Sequence, residues 1–443
     1  MSLVELGKIF FLGDKIKMNY QSENPVVAYM KKFLASDSKR VMEHCFLSIK
    51  DESGNRIFKQ SLESLDDSSF DSFFPLVSIV ILTANKIECD SLNYIVSKQK
   101  NSIVQKRRHS LQLFENSYMC APDAYLLKIE SFYILHLNAY ETGANTPGGS
   151  TDLVRFVSNQ NLLQPVCIVS FGICYGRDPK KQNIGDVIIP RKLYPWSIGQ
   201  KISEKNFKIK HDDFNLWLEE KFAETGIYSL LRDFCNGEDG IIRHEAFLLD
   251  DGEYAFSINT SLGNLSTGEA VVSSSNAKKL IREAARNEEE LGGEMEGYGL
   301  AKECIFYAKT PCFIIKSICD WGELKNIDQV LEQEGIKFPQ NLKDKLQAYA
   351  AFCAGITLIR LLNQEKNVLL TPKIVKWMGE MGKTQRMDIY NYVDKDSVIK
   401  KIKHFYSTDD ENADQILAKF IQSDIIQVTK NSKYHINPHL WSE

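Results

Sequence analysis

Apolar residues fall along this chain in two rhythms. Leu76 to Ala84, Val166 to Phe171 and Phe313 to Asp320 are nearly unbroken apolar runs, the pattern of strands covered on both faces of a parallel sheet. Tyr125 to Ile129 and Phe132 to Leu137 read as a strand pair. The second rhythm is helical: in Lys345 to Leu362, the residues Leu346, Tyr349, Cys353, Ile356 and Ile359 share one face, so this helix should close a domain against the sheet. Buried strands alternating with helices predict an α/β fold with a mixed, largely parallel twisted sheet flanked by helices.

Around that core the pattern is weaker. Residues 1–73 form a separate N-terminal module, with a helix over Pro25 to Ala35, a hairpin running from Cys45 through a Gly-Asn turn to Phe58, and an acidic, serine-rich linker from Ser64 to Ser72. Residues 74–365 hold the main domain. Within it Gly172 to Gly176 reads as a glycine-rich turn after a buried strand, Ser150 to Ser158 as a helix, and Asp213 to Glu224 as a long polar helix. Residues 366–443 give helical stripes, including Asn412 to Ile421, then two short strands around Lys430 to Lys433. Helices followed by a two-stranded ribbon have the outline of a winged helix.

Composition adds exclusions. With 443 residues, 43% apolar and 25% charged, the chain suits one large domain with small additions. A net charge of -4 gives no overall pull toward nucleic acid. The last 78 residues carry 12 Lys and Arg against 10 Asp and Glu, and the helix before the ribbon offers only Lys419. Phosphate neutralisation needs several cations on one face, so protein docking or oligomerisation is favoured over DNA contact. Ten cysteines are scattered without metal spacing and read as reduced core residues of a cytoplasmic protein. No metal or cofactor is implied. No run reaches the ~18 apolar residues of a membrane span, so no membrane partner is expected.

Candidate chemistry gathers where strands end. Gly292 to Ala301 reads as a strand end entering a helix with Glu294 and Glu296 flanking Met295, and Asp320 closes the apolar run from Phe313. Carboxylates at the mouth of a parallel sheet suggest chemistry, although an acid at a helix start also serves as a simple dipole partner. Glu88, four residues past Ala84, stands in the same ambiguity.

Glu294-Met295-Glu296 together with Ile318-Cys319-Asp320 resembles the signature of the nucleoside phosphorylase superfamily, in particular its 5'-methylthioadenosine/S-adenosylhomocysteine nucleosidases. Cys319 stands where that branch has Ser. The resemblance implies a nucleoside phosphorylase-like fold and cleavage of the N-glycosidic bond of an adenine-type nucleoside or nucleotide. It casts Asp320 as general acid toward the purine, since desolvation favours a protonated carboxyl, Glu88 as the base for water, and Glu296 as holder of the ribose hydroxyls. Met295, Glu294, Gly172, Ile173, Val271, Val272 and Trp321 would line the substrate. Tyr175 replaces a usual glycine, and Val271 a usual aromatic, leaving Trp321 as an alternative stacking ring. The two arginines by which phosphorylases hold phosphate are missing, which favours water as nucleophile, although Arg177 and Lys86 lie near the loops concerned.

By the same resemblance the protein is expected as at least a homodimer, and multi-domain relatives act as bacterial antiviral effectors. Two alternatives stand beside hydrolysis: a phosphorolytic enzyme of the same fold, and a non-catalytic nucleoside sensor whose C-terminal module contacts DNA or a protein.

Overall fold

A computed structural model describes residues 24–111, 113, 121–139, 147–196, 200–203, 206–209, 215–236, 241–244, 256–268, 279, 281, 290–322, 327–384 and 392–437. Its centre is the strand Val77–Thr83, buried at every position. It pairs in parallel with Phe132–Asn138 on one side and Cys167–Gly176 on the other. From there the sheet turns back on itself. Cys167–Gly176 runs parallel to Cys312–Asp320, which pairs antiparallel with Val187–Pro195. That strand is parallel to Phe256–Thr267, which is parallel to Glu290–Glu294, and this last returns antiparallel to Cys167–Gly176. Five strands therefore close a ring, and parallel and antiparallel pairings mix around it.

The helix Leu342–Gln364 lies across this sheet, with almost every residue from Ala348 to Leu362 buried. Among the described residues it alone has the length and hydropathy to cross a membrane, and 83% of its apolar window is inside the fold. It is the core helix that the heptad-like stripe predicts.

Several local expectations fail, each for a physical reason. Cys45 to Leu47 belong to the helix Ser38–Leu47, not to a strand. Val41, Met42, Cys45 and Phe46 make a buried i, i+4 stripe that packs on the core helix, and tertiary burial overrides the local alternation. All that remains of the hairpin is the bridge between Lys50 and Arg56. The supposed linker is structured: Glu63–Leu65 pairs with Ser102–Arg107, and Asp66 caps the helix Asp67–Asp71 by accepting from Ser69 N–H at 2.9 Å. Its serines and acids are capping residues. In place of one helix over Asp213 to Glu224 there are Leu216–Trp217, the short helix Leu218–Lys221 and a 3-10 turn halted at Gly226 (φ 72°), after which Ile227–Asn236 forms the longer helix. Residues 213 and 214 lie outside the described residues.

At the C-terminal end, helices Lys373–Thr384, Lys395–Tyr406 and Asp410–Gln422 precede an antiparallel ribbon of Ile426–Val428 and Tyr434–Ile436. The unit rests on the segment leading into the central strand. Tyr406 Oη donates to the Pro75 carbonyl at 2.8 Å, and Lys419 Nζ to Ser72 Oγ at 3.2 Å.

Candidate active site

Glu88 is fixed by the turn that ends the central strand. Asn85 and Glu88 form a reciprocal capping box at the start of the helix Lys86–Ser97. Glu88 Oε2 accepts from Ala84 N–H at 2.9 Å and from Asn85 N–H at 3.2 Å, while Oε1 accepts from Ile173 N–H at 2.9 Å. The carboxylate thus bridges two parallel strands. It can do so because residue 172 is glycine: a Cβ there would lie 2.2 Å from Glu88 Oε1. The glycines read as a turn in fact continue the strand Cys167–Gly176. They admit close neighbours instead of reversing the chain.

Glu294 ends its strand and Glu296 precedes the helix Gly297–Glu303. Glu294 Oε2 accepts from Glu296 N–H at 2.9 Å and from Gly297 N–H at 2.7 Å, so this acid caps the helix and orients the backbone that carries Glu296. Ser150 Oγ donates to the Glu296 carbonyl at 3.1 Å. Met295 between them is half-buried.

A residue with no part in the sequence reading joins these acids. Lys316 sits mid-strand in Cys312–Asp320, opposite Gly172, with no solvent exposure. Its Nζ is 2.9 Å from Glu296 Oε2 and 3.8 Å from Glu294 Oε2. Burial works to lower its pKa, but the charges of Glu296, Glu88 and Glu294 outweigh burial and hold the ammonium above its ordinary value. Burial in turn raises the Glu88 carboxyl above 4.5; Lys316 opposes this and Glu296 reinforces it. Glu294 is raised from 4.5 by burial in the same way, again against Lys316. The signal for Lys316 was present: a lone lysine inside a run covered on both faces needs an anion beside it.

Asp320 lies four residues further along the same strand, roughly 13 Å for an extended chain. It is half-buried, less enclosed than its apolar run predicts, because it is the strand's last residue. Its Oδ1 accepts from Gly322 N–H at 2.6 Å. Cys174 pairs with Ile318, between Lys316 and Asp320 along the strand. Burial pushes its thiol up, and the charges of Glu294, Asp320 and Glu88 push the same way against Lys316.

The remaining candidates divide. Gly172 and the Ile173 backbone touch Glu88 directly. Trp321 is 1% exposed and stands edge-on to Tyr29 with centroids 4.5 Å apart, so its ring is packed against the N-terminal helix Pro25–Leu34. Tyr175 lies over Gly293, where a Cβ would come within 2.3 Å of its hydroxyl oxygen. Arg177 Nη1 donates to the Glu290 carbonyl at 3.3 Å, and Lys86 is exposed at the helix start. Val271 and Val272 lie outside the described residues, as does most of the loop from Glu141. Among the described residues no group of His, Cys, Asp and Glu is placed to hold a metal.

No protein-family model matches this chain, and no curated protein does. Solved structures do. The 5'-methylthioadenosine/S-adenosylhomocysteine nucleosidase from Neisseria meningitidis, in complex with methylthio-immucillin-A, is similar at 14% identity with a TM-score of 0.43, over 65% of this chain and 100% of that one. Futalosine hydrolase of Helicobacter pylori is similar at 13% identity with a TM-score of 0.40, over 65% and 98%. The S-adenosylhomocysteine nucleosidase from Streptococcus pyogenes, in complex with 5-methylthiotubericidin, is similar at 14% identity with a TM-score of 0.40, over 65% and 97%. At these identities and TM-scores the likeness assigns neither substrate nor reaction to this chain.

Proposed function

We propose that the protein is a purine nucleosidase, hydrolysing the N-glycosidic bond of an adenine-type nucleoside or nucleotide. The observation that carries this reading is the meeting of Glu88 and Glu296 at the buried Lys316, with Asp320 further along the Lys316 strand. A buried cluster of acids around one lysine at the ends of strands is a mark of function. Glu296 would bind the ribose hydroxyls, and its charge would favour the oxocarbenium-like state. Glu88 would take a proton from water as the water oxygen bonds to the anomeric carbon. Asp320 would give a proton to the purine as the carbon–nitrogen bond breaks, so the base leaves neutral. Lys316 keeps Glu88 closer to its charged form than burial alone allows.

Water is favoured over phosphate because Thr83-Ala84-Asn85-Lys86 and Ser170-Phe171 lack the two arginines by which the resembled phosphorylases hold phosphate, while Arg177 donates to the Glu290 carbonyl. The test is incubation with adenosine, methylthioadenosine, AMP and ATP, with and without phosphate. Free base without phosphate supports hydrolysis. Release only with phosphate supports phosphorolysis, and tight binding without release supports a sensor.

For the C-terminal unit we favour docking over DNA contact. Lys419 is turned onto Ser72, and Lys395 and Lys403 pair with Asp414 and Asp410 of the following helix at 2.8 and 2.9 Å. Three cations of this unit are thus engaged within the fold rather than gathered on one face for phosphates. Assembly as a dimer or larger oligomer, and service as an antiviral effector depleting adenine nucleotides, extend the same reading and rest on the sequence resemblance. A mass measurement in solution tests the first and survival of phage challenge by cells carrying Glu88→Gln the second.

A further inference from the structure

The helix Pro25–Leu34 reaches the end of the strand that carries Asp320. Its N-terminus is capped by Asn24, which accepts from Val26 N–H at 2.9 Å, and its face of Val26, Val27, Met30 and Phe33 is buried. Tyr29 makes two contacts of different kinds. Its ring meets Trp321 edge-on at 4.5 Å and 70°, a favoured aromatic geometry. Its hydroxyl oxygen accepts a 2.9 Å hydrogen bond from Ile184 N–H.

Both partners flank the candidate acid. The Ile184 turn is laced to the Asp320 strand, with Gly185 N–H donating to the Ile318 carbonyl and Ile318 N–H to the Asp186 carbonyl, each at 2.9 Å. Trp321 follows Asp320 directly, and the Asp320 carboxylate is aimed by its bond to Gly322 N–H, at a residue whose φ of 65° is left-handed. Whatever fixes Trp321 therefore fixes the backbone that aims Asp320. Val26 and Met30 line the same small cavity as Asp320, Trp321 and Leu346.

We infer that Tyr29 is a positioning residue for Asp320: by clamping Trp321 and the Ile184 turn, the N-terminal helix forms part of the catalytic unit. This rests on the reading of Asp320 as the acid that protonates the leaving purine. The contact is built from a segment far from the domain's own strands, and the positional demand is severe, since misplacement by about 1 Å can cost roughly a hundredfold in rate.

The test separates acid positioning from general damage by changing the leaving group. An adenine nucleoside needs a proton on its departing base, whereas 4-nitrophenyl β-D-riboside releases a stable anion without one. Rates per folded molecule are measured for the unsubstituted protein, Tyr29→Phe and Tyr29→Ala, with the folded fraction fixed by thermal melts. Tyr29→Ala should lower kcat on the nucleoside about tenfold or more while KM stays within about threefold, and leave the nitrophenyl riboside within about threefold. Tyr29→Phe, which keeps the ring on Trp321, should recover most of the loss. Equal losses on both substrates, or none on either, overturn the positioning role while leaving the nucleosidase reading intact. Absence of base release by the unsubstituted protein overturns both.

Discussion

Lys316 Nζ lies 2.9 Å from Glu296 Oε2, and neither residue is more than 8% exposed. A buried cation on a central strand is held by what surrounds it, and here three carboxylates do so. Burial raises Glu88 and Glu294 above 4.5 despite its presence, and the neighbouring charge of Glu296 adds to the rise.

Replacing this cation should cost both stability and activity. Lys316→Met leaves the acids uncompensated, and loss of one partner from a buried ion pair typically costs about 3–5 kcal/mol. Since Lys316 lowers the Glu88 pKa, its removal should also move the acid limb of the rate profile to higher pH. Denaturant melts and a pH–rate series check the two effects.

The raised acids make a prediction about stability as pH changes. A carboxyl whose folded pKa exceeds its unfolded one stabilises the fold fully below the unfolded value, and that contribution is lost as pH rises through the folded value. Burial raises Glu294 from 4.5, so the fall begins above that point. Glu294→Gln keeps an acceptor for Glu296 and Gly297 N–H and cannot ionise. Its unfolding free energy should drop less than that of the unsubstituted protein between about pH 5 and about pH 8.

Gly172→Ala would put a Cβ 2.2 Å from Glu88 Oε1. Either the carboxylate or the strand must move, at a cost of about 1–3 kcal/mol for overpacking. Activity should fall by about a hundredfold or more as Glu88 leaves Ile173 N–H. Melts and kcat on one substrate measure both.

Tyr406→Phe removes the donor to the Pro75 carbonyl. It should cost about 1 kcal/mol and leave the rate per folded molecule unchanged, because the contact precedes the central strand rather than following it.

What the sequence made legible is whatever leaves a mark in local spacing. Val77–Thr83, Cys312–Asp320 and Leu342–Gln364 follow from unbroken apolar runs and a helical stripe. The placement of Glu88 follows from its distance past a strand end. What stayed hidden depends on contact between distant segments. Cys45 and Phe46 look like a strand until the core helix gives their helical face something to bury. Gly172 reads as a turn, although its smallness serves the approach of Glu88. Lys316 vanishes inside an apolar run because periodicity counts residues and does not ask which buried charge lacks a partner. Tyr29 bears on Asp320 only through Trp321 and Ile184, which no spacing rule connects to it.

The most direct test of the account is the rate of free base released from adenosine or methylthioadenosine in phosphate-free buffer, measured for the unsubstituted protein and for Glu88→Gln. The account predicts release with an equal amount of free sugar, and a rate lower by about 10²–10⁴ in the variant, the usual range for loss of a general base. No release by the unsubstituted protein, or an undiminished rate in Glu88→Gln, would contradict it.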